Sequence, residues 1–252
     1  MKIILYVIIF FGCVSASYSQ EEYQYSIPPV AWSEGLGNYR AVIEIGEDKE
    51  VAHLNLVWRR HDKDVSQRRF ILVRADNNQK VFNIYRQVVN NERCEIFFGP
   101  VTAGKYYFYY LPYTVDTDWG YFSNDYLPVE AAPDPLWLSN NNIPNLPGSN
   151  YSEAICLEIQ ARTEFESFYP MEVIATEEEK NTLISSTSDN YLLFPESRSF
   201  PIRMFDNIPQ RWVVNPPVQK LTGTAAQNEY FVFQVGCWAA KSSISNLEVT
   251  FS

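Results

Sequence analysis

His53 and His61 are the two histidines of the chain, and neither has the company that imidazole chemistry needs. His53 lies inside an alternating apolar segment, and His61 follows Arg59-Arg60. With no third ligand at a matching spacing, a zinc site is not expected. No Gly-x-Ser-x-Gly elbow or Ser-His-Asp pattern marks a nucleophile. None of the ten glycines stands at the intervals of a phosphate-binding loop before a helix. "DTDWGYFSND", Asp116 to Asp125, begins as a calcium loop would, but Gly120 comes one place early and Leu127 stands where the closing glutamate belongs. No metal and no cofactor is expected.

Paired carboxylates would be the signal of sugar cleavage, because two acids flank the scissile bond in such enzymes. The acids here read otherwise. Glu177, Glu178 and Glu179 open one helix, where the helix dipole favours negative charge, and Glu164 and Glu166 fall in another short one. No catalytic residue is assigned. Aromatic rings are the richer resource: 15% of the chain is Phe, Trp or Tyr, with six Trp and 17 Tyr, and a flat ring with a polar handle suits a sugar face or a protein surface. Trp119, Tyr121 and Trp137 lie in a polar stretch and are the candidate carbohydrate-binding residues, Trp119 foremost. Asn150-Tyr151-Ser152 is a glycosylation sequon, so Asn150 is a candidate acceptor in a eukaryotic secretory pathway.

These residues are carried by a chain of 252 residues, 46% hydrophobic, with a formal net charge of -10. It is long enough for a sizeable core in one or two domains. The acidic balance argues against nucleic acid and against anionic membrane surfaces, both of which need clustered Lys and Arg. Residues 1–19 read as a secretory signal peptide, with Lys2, an apolar run from Ile3 to Phe11 and small residues before the cut. The product is therefore expected to be secreted or periplasmic, with no membrane association after cleavage. Cys94, Cys156 and Cys237 remain at wide, unrelated spacings, which is no disulfide framework and allows at most one bridge.

After an N-terminal arm over residues 20–37, the hydrophobic period becomes two. "YRAVIEIG", "VAHLNLVWRR", "RRFILVRAD", "KVFNIYRQVVN", "RCEIFFGPV" and "KYYFYYLPY" are short runs of β-branched and aromatic residues divided by turn clusters. They predict an antiparallel β-sandwich over residues 38–128. Asp, Asn, Pro and Gly then dominate, and residues 129–152 read as a loop or linker. Residues 153–252 read as a small α+β segment running into a truncated β-domain. In it, Thr163 with Glu166 and Thr176 with Glu179 have capping-box spacing, and "PMEVIAT", "YLLFPESRSFPIRM" and "QRWVV" read as extended. "EYFVFQVGCWAAKSSISNLEVTFS", Glu229 to Ser252, reads as the opening hairpin of a second β-domain. The fold class is thus mainly β.

Five strings together resemble one family: "VWRRHD" (Val57 to Asp62), "GKYYFYYLPYT" (Gly104 to Thr114), "ESFYPMEVIAT" (Glu166 to Thr176), "YLLFPESRSFPIRM" (Tyr191 to Met204) and "NEYFVFQVGCWAA" (Asn228 to Ala240). In this order they look like the non-catalytic N-terminal region of glycoside hydrolase family 123 and its uncharacterised secreted relatives. The resemblance implies β-sandwich material preceding a (β/α)8 barrel that removes β-linked N-acetylgalactosamine, with the substrate's acetamido group as nucleophile and an Asp-Glu pair assisting. No Asp-Glu dipeptide occurs in this chain, so no position inherits those roles. For this chain the resemblance implies a supporting or weak glycan-binding role, with a glycan and a downstream catalytic domain as partners. The alternative is a free-standing secreted module that recognises a glycan or a protein through residues 114–149.

Overall fold

The computed structural model describes residues 23–116, 123–145, 147–167, 170–215 and 220–250. Eight strands succeed one another in the first half of the chain: β1 (Gln24–Ser26), β2 (Tyr39–Ile45), β3 (Ala52–Leu56), β4 (Ile71–Arg74), β5 (Lys80–Val81), β6 (Asn83–Val89), β7 (Cys94–Gly99) and β8 (Gly104–Tyr109). From β2 onward they lie in the runs that the period of two predicts. A small hairpin, β9 (Tyr113–Asp116) with β10 (Ser123–Tyr126), comes next, then helix α1 (Pro135–Asn140) and the long strand β11 (Ser152–Ala161). Helix α2 (Glu177–Ser185), strand β12 (Leu192–Ser197), helix α3 (Gln210–Val214) and strand β13 (Phe233–Trp238) complete the order.

The main sheet runs β5-β4-β8-β2-β11-β3-β7-β6, with β1 added on β11. Most pairs are antiparallel; β11 pairs parallel with β1 and with β3. The shape is that of a sandwich, because β11 serves both halves. Its first residues, Ser152 and Glu153, pair with β3, whereas Ala154 to Ala161 pair with β2, with a register shift between Cys156 and Glu158. Such a bulge bends the strand and lets one chain turn the corner between two layers. Here the structure departs from the sequence reading: the strand grouped with the C-terminal segment from residue 153 is a central strand of the main sheet. Its partners lie about a hundred residues upstream, a pairing that local periodicity cannot encode.

Between the layers lies an aromatic core. Ala52, Leu54 and Leu56 of β3 point inward while His53 and Asn55 point out, and Trp58, Phe70, Phe98, Phe108 and Tyr110 are buried with them. Phe70 meets Phe108 edge to face at 4.9 Å, and Trp58 lies 5.4 Å from Tyr110, spacings at which ring pairs gain beyond their buried area. Residues 129–134, the start of the stretch read as a linker, tie β4 to β6: the Phe70 amide donates to Glu130, Arg86 grips the same carboxylate through two nitrogens, and the Asp134 amide donates to Asn83. α1 then sends Trp137 back onto Val51 and Phe97.

Buried tyrosines of the sandwich set an alkaline limit. Burial pushes the pKa values of Tyr39, Tyr109 and Tyr110 upward, so the fold holds these protons more tightly than the unfolded chain. This stabilisation is complete below the unfolded tyrosine value of about 10 and is lost as pH climbs from there toward the folded values. Thermal melts should therefore be level from about pH 8 to about 9.5 and fall above about pH 10. Tyrosine absorbance should show the buried rings ionising only with unfolding; a midpoint unchanged to about pH 11 would contradict the burial.

A second, smaller core joins Met171, Ala175, Leu183, Leu192, Phe194, Ile208 and Trp212. Phe194 stacks on Trp212 at 4.2 Å. α2 starts on the full capping box, in which Thr176 Oγ1 accepts from the Glu179 amide and the Glu179 carboxylate accepts from the Thr176 amide. At Thr163 no such cap forms; its hydroxyl donates to the Glu166 side chain and only a single 3-10 turn follows. "QRWVV" is helix α3 rather than an extended segment, and "PMEVIAT" contributes only the isolated bridge of Ile174 with Pro209. The final apolar run does enter a two-stranded antiparallel sheet, but the partner of β13 is β12 upstream, Leu192 opposite Trp238 through Ser197 opposite Phe233.

Candidate functional site

Three groups of side chains could carry function, and the first surrounds His53. Its Nδ1 lies 3.1 Å from Glu153 and its Nε2 3.2 Å from Glu95. Phe97 and Tyr151 pack their rings on it at 4.7 and 5.1 Å. Glu95 also accepts from Arg93 at 2.7 Å. The imidazole thus joins β3, β7 and β11 where the long strand enters the second layer. Among the described residues no cluster of three or more His, Cys, Asp or Glu could hold a metal ion.

The second group is "VWRRHD" at the end of β3. Trp58 fills the core and donates its indole N–H to Asn90 O at 2.6 Å. Arg59, held at φ 50, turns away from the core to meet α2: its guanidinium donates to both oxygens of Glu179 at 2.6 and 3.0 Å and to Ile174 O at 3.2 Å. Arg60 goes the other way, lying over the Trp58 and Tyr110 rings at 4.4 and 4.7 Å and paired with Asp62. Each charge is used to hold structure. The same is true of Glu130 on Arg86 and of Glu196, which accepts from Arg211 and Trp212.

The third group is the outer face of the β12–β13 sheet. Its inner face supplies Leu192 and Phe194 to the second core, yet the outer face is apolar too: Leu193, Phe233 and Val235 are 42%, 48% and 50% exposed. Pro195 stands opposite Val235 and Leu193 opposite Cys237. A two-stranded sheet covered on one side normally alternates apolar-in with polar-out. Here the alternation fails on the side that faces water. Next to it a groove of about 990 Å3 is lined by Tyr191, Asp189, Asn190, Leu193, Val235 and Ser242, among others.

Residues 30–162 match the family described as Glycoside hydrolase 123, N-terminal domain. The matched span starts between β1 and β2 and ends just after β11, so it takes in the main sheet except β1 and excludes the second core. The chain belongs to the glycoside hydrolase 123 N-terminal domain family. Comparison with curated proteins and comparison with solved structures gave no match. Within the glycoside hydrolase 123 N-terminal domain, the string "VWRRHD" and the tyrosine-rich β8 serve the core and its connection to α2. Their role is packing and anchoring.

The candidate residues for glycan recognition fall in different places. Trp119 and Tyr121 lie outside the described residues, as do residues 1–19, read as the signal peptide. Trp137 is 7% exposed and donates its indole N–H to Glu50 O at 3.0 Å, so its ring is turned into the fold. Asn150 is exposed in a 3-10 turn, while Ser152 of its sequon is buried at the start of β11. Leu193, Phe233 and Val235 are not among the candidates that the sequence offers. For Phe233 and Val235 the signal is the unbroken apolar run from Tyr230 to Phe233, with Val235 beyond it, too continuous for a half-covered strand.

Of the cysteines, Cys94 is fully buried in β7 and Cys237 is exposed on β13. Burial pushes the Cys94 thiol well above its ordinary range. Since the thiolate is the reactive form, Cys237 should react with a thiol reagent in the native protein while Cys94 reacts only on unfolding. Loss of the fast phase in Cys237→Ser would confirm the assignment; fast native labelling at Cys94 would contradict it.

Proposed function

We propose that this chain is the exported, non-catalytic N-terminal β region of a family 123-like glycoside hydrolase, which supports a catalytic domain and binds glycan weakly. The observation that carries this reading is the apolar outer face of β12–β13. Leu193, Phe233 and Val235 form a patch whose burial against a partner would be favourable by about 25 cal/mol per Å2. The occupant in this reading is the catalytic barrel that the family resemblance implies. The part played by carboxylates adds support: Asp62, Glu130, Glu179 and Glu196 are each engaged with an arginine.

Two experiments test the reading. Incubated at high loading with an aryl N-acetyl-β-galactosaminide, the purified chain should give no turnover above buffer; clear turnover would refute the non-catalytic role. For the glycan component, Trp119 and Tyr121 are the proposed platform, Trp137 being turned inward. Tryptophan fluorescence during glycan titration should change in the wild type and not in Trp119→Ala. A change that survives the substitution would remove Trp119 from the reading.

A further inference from the structure

The groove beside the outer face of β12–β13 has two walls, the turn between α2 and β12 and the stretch that follows β13. The walls are fastened to each other: the Lys241 amide donates to Asn190 O at 3.0 Å, and the Lys241 ammonium donates to Thr187 O. The turn is also held from within, since the Asp189 amide donates to Thr187 Oγ1 at 3.1 Å and Ser186 Oγ donates to Leu183 O at 2.7 Å. The fold thus shapes the groove without a ligand. Its volume of about 990 Å3 lies at the upper end of the range for small-molecule sites, about 300–1,000 Å3.

The chemistry of the lining selects the ligand. Leu193, Pro195 and Val235 give it apolar surface, Tyr191 gives it an aromatic ring that is 43% exposed, and Asp189, Asn190, Ser242, Ser243 and Ser245 give it polar side chains. Among the described residues, no hydrogen bond or ion pair of the fold engages the Asp189 carboxylate, the Asn190 carboxamide or the Tyr191 hydroxyl, and all three residues are exposed. A carboxylate accepts, a carboxamide donates and accepts, and a hydroxyl does both. Sugar hydroxyls do both as well, and the C–H face of a pyranose packs on a flat ring. Charge narrows the class: Asp189 is the one formally charged residue of the lining, and no Lys or Arg stands there to receive a sulfate or a uronate. A neutral sugar is the fit.

We propose that this groove is a binding site for a neutral glycan, with one sugar ring packed on Tyr191 and its hydroxyls bonded by Asp189, Asn190 and the serines that follow β13. The inference rests on the glycan-binding component of the function proposed above and adds to it a site that uses neither Trp119 nor Tyr121. Leu193 and Val235 belong both to the groove and to the outer face of β12–β13. A glycan held here therefore lies at the edge of whatever partner covers that face.

Amide chemical shifts of the isotope-labelled chain test this during titration with three neutral trisaccharides, cellotriose, mannotriose and triacetylchitotriose, and with trigalacturonate as the anionic control. The expected result is a saturable set of shifts at residues 186–193, 235 and 242–245 with at least one neutral probe. Binding should weaken about tenfold in Tyr191→Ala and in Asp189→Ala, and should be unaltered in Trp119→Ala. Tyr191 and Asp189 are exposed, so both variants should keep the wild-type melting midpoint. Shifts centred elsewhere in the chain would overturn this site while leaving the glycan-binding component standing, and no saturable shift with any neutral probe would overturn both. Tighter binding of trigalacturonate in the groove would overturn the neutral assignment.

Discussion

Glu179→Ala is expected to lower the unfolding free energy by about 3–5 kcal/mol, the range for removing one partner of a buried ion pair. The side chains of Arg59 and Glu179 are 6% and 13% exposed, so the guanidinium left behind would have little water to replace its partner. The carboxylate also accepts from the Thr176 amide at 2.8 Å, and losing that arm of the capping box adds about 1 kcal/mol. The pair fastens the start of α2 to the end of β3, with the Ile174 amide donating to Arg59 O at 3.3 Å beside it. Urea unfolding of Glu179→Ala, Arg59→Met and the double Arg59→Met/Glu179→Leu checks the argument. The double variant should recover much of the loss, because an apolar pair leaves no stranded charge. Single variants within about 1 kcal/mol of wild type would mean that the pair behaves as a solvent-screened surface bridge.

Trp58→Ala should cost about 3–5 kcal/mol, as truncations of large buried rings do. The side chain is 2% exposed, sits 5.9 Å from Phe70 and 5.4 Å from Tyr110, and supports the Arg60 guanidinium at 4.4 Å. Its indole N–H donates to Asn90 O, so the substitution opens a cavity and removes a hydrogen bond at once. Trp58→Phe keeps most of the ring volume and should lose clearly less. The unfolding midpoint and the near-ultraviolet dichroism of the aromatic cluster report the two effects separately. Equal losses for alanine and phenylalanine would locate the cost in the hydrogen bond rather than the packing.

The features legible in the sequence are the local ones. The runs around β2 to β8 alternate, and turn clusters such as Ala75-Asp76-Asn77-Asn78 bound them; Thr176 with Glu179 marks the start of α2, although the same spacing at Thr163 and Glu166 leads only to a single 3-10 turn. The illegible features depend on distant partners. β11 alternates like any strand, but nothing local says that it serves both layers through a register shift after Cys156. Trp137 lies among Pro, Asp and Asn, a context suited to exposed recognition, yet Asp134 caps a short helix whose one buried ring finds Val51 and Phe97. In α3, the β-prone Trp212-Val213-Val214 is helical because the Trp212 ring stacks on Phe194 while its indole reaches Glu196; tertiary packing overrides a weak propensity. The outer face of β12–β13 is legible in its continuous apolar run but not in its meaning, since the same run suits a strand buried on both sides.

The supporting role turns on that face, and binding measures it most directly. The chain is titrated, by calorimetry, with a separately produced catalytic barrel of a family 123 glycoside hydrolase. The same titration is run with Leu193→Ser/Val235→Ser, two outward positions that leave the second core intact. Saturable binding with a negative heat-capacity change in the wild type, weakened at least tenfold in the variant, is the expected result. No binding by the wild type, or binding of equal strength in the variant, would contradict a docking role for this face.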